Sequence, residues 1–465
     1  MQKPCHFYLL PIGGTATAAL AGLLHEAGER VSGVDSVLYP PTSELLAEIG
    51  IPVRLGFDPK LIPGDLDEVI IGNAIPRSNP EVGSVLERGL PYTSQAAAFG
   101  ERFCRPARAI VVAGTHGKTT TSALTTHILT AGGLDPTALI GGVPCGGKPW
   151  RLGHGGWTVV EGDEYNTAFF DKGPKFLHYH PHLFVVGNVE FDHGDIYPDL
   201  DAILAAFRAG TAQVGTTGNV VANLGDDGAR AVAAGHPHVV WYGLESTAAL
   251  SCSAHGHAFG RLHATLRWEG REFDVETPLV GRHNLDNLMA ATACALLAGL
   301  APETAAAAAA TFPGVRRRLE VAGEAAGVTV VDDFAHHPTA VALTLKGARH
   351  RFPGRRIVVA FEPRSLTAGR SLFAAAYEDA LANADVAVIA PVFHRARLGE
   401  NVLDREALVA RLRARGIEAE APAEGTGLTP FIRSRLRGGD VVLCMSSGDF
   451  GGLPRQLVTL LKEGP

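Results

Sequence analysis

The sequence predicts a three-domain α/β protein. It has a Rossmann-like first domain, a central domain with a P-loop ATPase-like, mostly parallel sheet, and a Rossmann-like third domain. Three observations carry this. Apolar runs rich in β-branched residues alternate with helical stretches along the whole chain, the rhythm of parallel sheets wound with helices. The 465 residues exceed what a single core can fill. Strand after strand ends in a cluster of Gly, Asp, Glu, Asn or His, which is where ligands bind in open α/β sheets. The boundaries are placed at 1–105, 106–312 and 313–465.

In the first domain the spacing predicts strands over His6–Ile12, Arg30–Asp35 and Glu68–Asn73, with helices over Thr15–Glu26, Thr42–Ile49 and Pro80–Arg88 between and after them. Gly13-Gly14-Thr15 follows the first strand and opens a helix, a place that holds either a phosphate or a plain tight turn. Asp35 ends the second strand, where an acid can bind ribose hydroxyls.

The central domain is organised around Ala109-Ile110-Val111-Val112-Ala113-Gly114-Thr115-His116-Gly117-Lys118-Thr119-Thr120-Thr121. A β-branched strand runs into a glycine-bounded turn, and an amphipathic helix is expected over Ser122–Ala131. Glycines let backbone amides approach a ligand, the helix N-terminus favours an anion, and Lys118 adds a full charge. Thr119 is placed to offer a hydroxyl to Mg²⁺. Val112 stands where the strict phosphate-loop pattern has its first glycine. A strand over Trp157–Glu161 leads into Asp163-Glu164-Tyr165, and one over Leu183–Val189 leads into Glu190-Phe191-Asp192-His193. A hard cation held by Thr119, Glu161 and His193, its shell completed by nucleotide phosphates, is chemically consistent with that placement.

Further strands are expected over Gly218–Asn223 and His238–Tyr242, with an antiparallel edge over Cys252–Val275 and helices over Leu288–Ala298 and Thr304–Ala310. Asn284 and Asn287 fall one helical turn apart, and amide side chains suit an adenine edge; N-capping by Asn284 is compatible with that role. The third domain repeats the strand–helix rhythm. Its strand ends carry Asp332-Asp333-Phe334-Ala335-His336-His337, Glu362-Pro363-Arg364-Ser365 and Ser446-Ser447-Gly448-Asp449.

Net charge is −7, which offers no general basic field for nucleic acid. No run is long enough to span a bilayer, the start lacks a signal-peptide layout, and the six scattered cysteines form no metal or disulfide spacing. A cytoplasmic enzyme of small-molecule substrates is expected, with no membrane or nucleic-acid partner; the sequence specifies no oligomeric state.

The motifs together resemble the Mur ligases, ATP-dependent amide-forming enzymes of peptidoglycan synthesis. The resemblance runs through Gly114–Thr119, Glu161, Asn188-x-Glu190-x-Asp192-His193, Gly281-Arg282-His283-Asn284-x-x-Asn287, Arg317-Arg318 and Asp332-Asp333, in order along nearly the whole chain. It implies ATP and Mg²⁺ as cofactors. ATP would lie against Gly114, Thr115, His116, Gly117, Lys118, Thr119, Thr120, Asn284, Asn287, Arg318 and Asp333, with Thr119, Glu161 and His193 as metal ligands. Lys118, Glu161 and His193 would be the catalytic set; Gly14, Thr15, Asp35 and Asn73 would take the UDP part of UDP-N-acetylmuramate.

Within the family, Asp163–Tyr179, Glu362-Pro363-Arg364-Ser365 and Met445-Ser446-Ser447-Gly448 resemble the branch that attaches a salvaged cell-wall tripeptide, L-Ala-γ-D-Glu-meso-diaminopimelate. His336, His337, Arg364 and Ser447 would then face the acceptor. The alternatives are the branch that adds L-alanine, and a nucleotide switch that forms no bond. Pro11, Ala18 and Gly187 depart from the family pattern, and Arg208 stands downstream of His193 where several relatives carry a modified lysine.

Overall fold

The computed structural model describes residues 3–39, 42–192, 194 and 196–463. Three sheets carry the chain, and helices intervene between most of their strands. The first has the spatial order Val53–Leu55, Arg30–Asp35, His6–Leu10, Glu68–Ile71, Tyr92–Ser94, every pair parallel. All five residues of His6–Leu10 are buried, as a central strand covered on both faces requires. The two outer strands are three residues long, too short for a period to register in the sequence.

The second sheet has ten strands. Its middle runs Asn219–Asn223, Pro181–Val186, Arg108–Ala113, Trp157–Gly162, Thr137–Leu139, all parallel. The strand feeding the glycine loop therefore lies directly between the two strands expected to deliver acids. Trp150–Arg151 closes one side by antiparallel pairing, and Val239–Gly243, Leu250–Ala258, Arg261–Trp268 and Arg271–Thr277 extend the other.

Several boundaries differ from expectation: the helix expected over Leu288–Ala298 begins at Arg282, and two further differences flank the glycine loop. The helix that follows this loop begins at Lys118, four residues early, because Gly117 turns the chain at φ 81° and Lys118–Thr120 already form the first turn. The strand expected to reach Val189 stops at Val186, where Asn188 turns towards the glycine loop.

The third sheet runs Glu320–Ala325, Val328–Asp333, Val441–Met445, Ile357–Phe361, Val386–Ile389, Glu418–Glu420, parallel except for its first pair. The first sheet and most of the second belong to one compact unit, and residues 314–465 form the bulk of a second, which also takes in 255–263 and 277–285. In the first unit, the helix Thr15–Glu26 passes Trp150 at Gly22, where a Cβ would overlap the indole. Among the described residues no helix is long and apolar enough to cross a membrane.

Candidate active site

The glycine loop is shaped by positions that side chains avoid. Gly114 has φ 142° and Gly117 φ 81°. A Cβ on Gly114 would lie 3.2 Å from the Asn188 carbonyl, and one on Gly117 would overlap the Asn287 amide. Asn188 is the clamp: its Oδ1 accepts from the His116 amide (2.8 Å), its Nδ2 donates to the His116 carbonyl (3.1 Å), and its own carbonyl accepts from the Thr115 amide (2.9 Å). The Glu190 amide donates to the Thr115 hydroxyl (2.9 Å), and His116 Nε2 lies 3.5 Å from the Glu190 carboxylate. Asn188 stands in the motif Asn188-x-Glu190-x-Asp192, and its role as a clamp follows only from the pairing of the preceding strand with Arg108–Ala113.

Lys118 opens the helix with its ammonium folded back over the loop. Nζ donates to Gly114 O (2.7 Å), Thr115 O (3.3 Å) and Glu164 Oε2 (2.9 Å). Burial alone would lower its pKa, but the carboxylates of Glu164, Asp163 and Glu161 outweigh that and hold it above the ordinary lysine value. Thr119 donates its hydroxyl to Glu161 Oε1 (2.8 Å), and Gly141 N donates to the other oxygen (2.8 Å). Burial, reinforced by the charge of Asp163, raises the Glu161 carboxyl above its usual range. Thr120 is buried in the same turn, and Thr121 Oγ1 donates to Asn287 Oδ1 (3.1 Å).

The loop after Trp157–Gly162 is held by its own network. Lys175 Nζ donates to Asp163 Oδ2 (3.0 Å) and to the Tyr165 hydroxyl (3.1 Å), which itself donates to Asp163 (2.6 Å). Burial would raise Asp163, yet the charges of Lys175 and Lys118 win and keep it below the ordinary carboxylate value. Much of the Asp163–Tyr179 motif thus folds a compact support that presents Glu164 to Lys118. His193, expected beside this cluster, lies outside the described residues.

In the first sheet Asp35 meets the glycine turn: Gly13 N donates to its Oδ2 (2.8 Å) and Ser36 N to its Oδ1 (2.7 Å). Gly14 precedes the helix that Thr15 opens, no side chain caps that end, and Asn73 is exposed just beyond Glu68–Ile71.

The second unit assembles a separate set. Asp333 is buried and accepts from Leu319 N (2.7 Å), Ala335 N (2.8 Å) and Thr344 Oγ1 (3.3 Å); burial raises its pKa against the pull of Arg318. Arg318 lies 5.1 Å from the Phe334 ring centre. Asn284 sits inside the first turn of the helix Arg282–Leu297 and donates to Val280 O (2.7 Å), so N-capping by Asn284 is corrected: the helix starts two residues before it. His336 is fixed by Phe334 O and the Tyr377 hydroxyl, and buried His337 immediately precedes the helix Pro338–Arg351. Arg364 pairs with Asp449 (3.1 Å), lies 3.6 Å from Glu362 and covers the Phe393 ring at 4.1 Å. Ser447 is half-buried beside Ser446, whose hydroxyl donates to Glu362.

Comparison with known proteins places this arrangement. Residues 6–105 match the Mur ligase family, catalytic domain; residues 159–295 the Mur ligase middle domain; and residues 317–448 the Mur ligase, glutamate ligase domain. The UDP-N-acetylmuramate–L-alanyl-γ-D-glutamyl-meso-2,6-diaminoheptandioate ligase of Escherichia coli strain K12 is 37% identical over 472 residues, 97% of each chain. The chain belongs to the Mur ligase family.

Mur ligases are ATP-dependent enzymes that form carbon–nitrogen bonds in peptidoglycan synthesis, and this chain is such an enzyme. A UDP-N-acetylmuramate–L-alanine ligase from Desulfosudis oleivorans is 33% identical, covering 96% of each chain. Among solved structures, a murein peptide ligase from Psychrobacter arcticus 273-4 superposes with a TM-score of 0.75 at 28% identity, over 98% of this chain and 99% of that one. The UDP-N-acetylmuramate–alanine ligase of Thermotoga maritima shares the fold at TM-score 0.81 and 23% identity, over 99% and 100%. In this Mur ligase the glycine loop, Glu161 and Asn287 converge within one unit.

Proposed function

We propose that this Mur ligase joins the tripeptide L-Ala-γ-D-Glu-meso-diaminopimelate to UDP-N-acetylmuramate in the cytoplasm, returning peptide recovered from the wall to peptidoglycan synthesis. The observation that carries the reading is the identity to the peptide-adding E. coli relative along 97% of both chains. Arg364 beside Ser446–Ser447 supports it, because a guanidinium pairs with a carboxylate through two parallel bonds and the tripeptide carries several carboxylates.

Residues 1–105 are assigned to the UDP-sugar, with Gly14, Thr15, Asp35 and Asn73 at the strand ends; residues 106–312 to ATP; and residues 313–465 to peptide and nucleotide. The lactyl carboxylate attacks the γ-phosphorus, ADP leaves, and an acyl phosphate forms. The peptide amine then attacks the acyl carbon, and the tetrahedral intermediate releases phosphate as the amide forms. No enzyme nucleophile takes part, so positioning and charge stabilisation carry catalysis.

Lys118 exchanges Glu164 and the loop carbonyls for the β- and γ-phosphates, while the amides of Gly114–Thr120 line the anion. Asn284 and Asn287 take the adenine side and Arg318 the nucleotide. Asp333 Oδ2 accepts from Leu319 N, and a carboxylate oxygen offers a second lone pair to a ribose hydroxyl. Thr119 and Glu161 would hold one Mg²⁺ and His193 a second. The hard oxygen donors fit, and a carboxylate raised by burial and by Asp163 gains from a cation beside it. Mg²⁺ supplies charge neutralisation on the transferring phosphoryl group.

The test is product identification by mass after incubation with ATP, Mg²⁺, UDP-N-acetylmuramate and either the tripeptide or L-alanine. UDP-N-acetylmuramoyl-tripeptide as the dominant product supports the proposal. Faster formation of the L-alanine adduct would replace it with the biosynthetic ligase, and ADP without an adduct would leave a nucleotide hydrolase.

A further inference from the structure

The turn that opens the helix Arg282–Leu297 hangs on one peptide unit, the plane joining Val280 to Gly281. Its carbonyl end, Val280 O, accepts from Asn284 Nδ2 (2.7 Å). Its amide end, Gly281 N, donates to His257 Nε2 (2.9 Å). A peptide unit is planar, so the two bonds orient one rigid plane from opposite ends. The next carbonyl, Gly281 O, accepts from Asn284 N (3.1 Å). Gly281 has φ 91°, and a Cβ there would lie 2.8 Å from His283 Cε1, so the turn keeps glycine at this point. Asn284 therefore takes its place from the same peptide that His257 holds.

His257 is half-buried near the end of the strand Leu250–Ala258. A ring nitrogen that accepts from an amide carries a lone pair, so the proton of this neutral imidazole sits on Nδ1. The ring stacks on His350 of the helix Pro338–Arg351, with centres 4.1 Å apart and planes 14° from parallel. Also facing it are His255 on its own strand and His263 on the neighbouring strand Arg261–Trp268. Burial first, and then these three histidines, hold its pKa below the ordinary histidine value. Each of the three gains positive charge on acidification, so none of them favours an imidazolium at His257. At neutral pH Nε2 holds the peptide. As pH falls through the depressed value, a proton occupies Nε2 and faces the Gly281 N–H, donor against donor.

We infer that His257 is a positioning residue for ATP: through the Val280–Gly281 peptide it sets Asn284 on the adenine side, and protonation of Nε2 releases Asn284. The inference rests on the adenine role given to Asn284 under Proposed function and deepens it. The effect falls on ATP affinity and carries the pH dependence of an imidazole. For a histidine freed from the turn, with an ordinary pKa of about 6.5, the neutral form falls about tenfold from one unit above that value to one unit below.

The test is calorimetric titration of the full chain with MgATP at about pH 7.5 and about pH 5.5, one unit either side of that pKa. In His257→Gln an amide oxygen stands near the place of Nε2 and accepts without titrating; in His257→Ala nothing accepts. Titration of ATP itself is common to every variant and cancels in the comparison. Between the two pH values the wild type should lose up to about tenfold more affinity than His257→Gln. His257→Ala should bind weakly at both, with Gln restoring affinity at the higher pH. His350 is exposed, so His350→Glu is expected to fold, and its carboxylate beside His257 should move the loss of affinity to higher pH. Equal pH ratios for the wild type and His257→Gln, or an unmoved profile in His350→Glu, would overturn the inference. Asn284→Ala separates it from the reading beneath. If that variant weakens ATP binding while the histidine variants match the wild type, the inference falls and the adenine role stands. If it binds ATP as the wild type does, the adenine role falls and takes the inference with it.

Discussion

Replacing Lys118 by Ala tests two consequences of one geometry. The ammonium stands 2.9 Å from Glu164, and the two side chains are 12% and 3% exposed. Truncating one partner of a buried pair leaves the other charge uncompensated, which typically costs about 3–5 kcal/mol of stability. Asp163 and Glu161 also face Lys118, so the deletion leaves three acids against Lys175 alone. Losing a charge partner of the transferring phosphoryl group costs a further 2.7–4 kcal/mol or so in the transition state, about a hundredfold to a thousandfold in turnover.

The two effects separate in the double variant Lys118→Ala/Glu164→Gln. Removing both charges returns most of the stability, whereas turnover stays lost. Urea denaturation without nucleotide and phosphate release with all substrates are the assays. A single variant as stable as wild type would refute the buried-pair argument. A double variant with restored phosphate release would refute the phosphate role of Lys118.

Asn188→Ala removes both side-chain bonds that hold His116, each worth about 1 kcal/mol net. It should raise the KM for ATP roughly tenfold, and an unchanged KM would show that the loop keeps its shape without the clamp. Glu161→Gln should raise the Mg²⁺ concentration needed for half-maximal turnover, and an unshifted titration would remove Glu161 from the metal site. Asp385 tests pH dependence. Burial would raise its carboxyl, but Arg349 (2.8 Å) and the Ile357 amide (2.7 Å) hold it below the ordinary value. Its stabilisation is therefore full above the unfolded carboxylate pKa and lost as pH falls through the depressed folded value. Asp385→Asn should unfold at lower urea than wild type at neutral pH, with the gap closing on acidification; a gap independent of pH would contradict this.

The strands that position the site were legible because each is a short, mostly buried apolar run, as in Ala109–Ala113 and Leu183–Val186. Glu418–Glu420 was not: Glu-Ala-Glu has no strand propensity, and its place depends on Arg356 pairing with Glu418 and Arg435 with Glu420. The helix start at Lys118 was read late because three consecutive threonines are weak helix formers, while the start itself is set by the left-handed Gly117. The loop, Lys118, Thr119 and Glu161 were legible from residue type and strand-end position. Glu164 as the lysine's partner and Asn188 as the clamp were not, since both roles depend on which strands lie beside Arg108–Ala113.

Isotope transfer tests the central claim most directly. UDP-N-acetylmuramate labelled with ¹⁸O in both lactyl carboxylate oxygens is incubated with ATP, Mg²⁺ and the tripeptide, and the phosphate, nucleotide and amide products are analysed by mass. Attack of the carboxylate on the γ-phosphorus predicts one label in inorganic phosphate and the other in the new amide, with ADP unlabelled. Label in AMP, or phosphate carrying none, would contradict the acyl phosphate and with it the roles assigned to Lys118, Thr119 and Glu161.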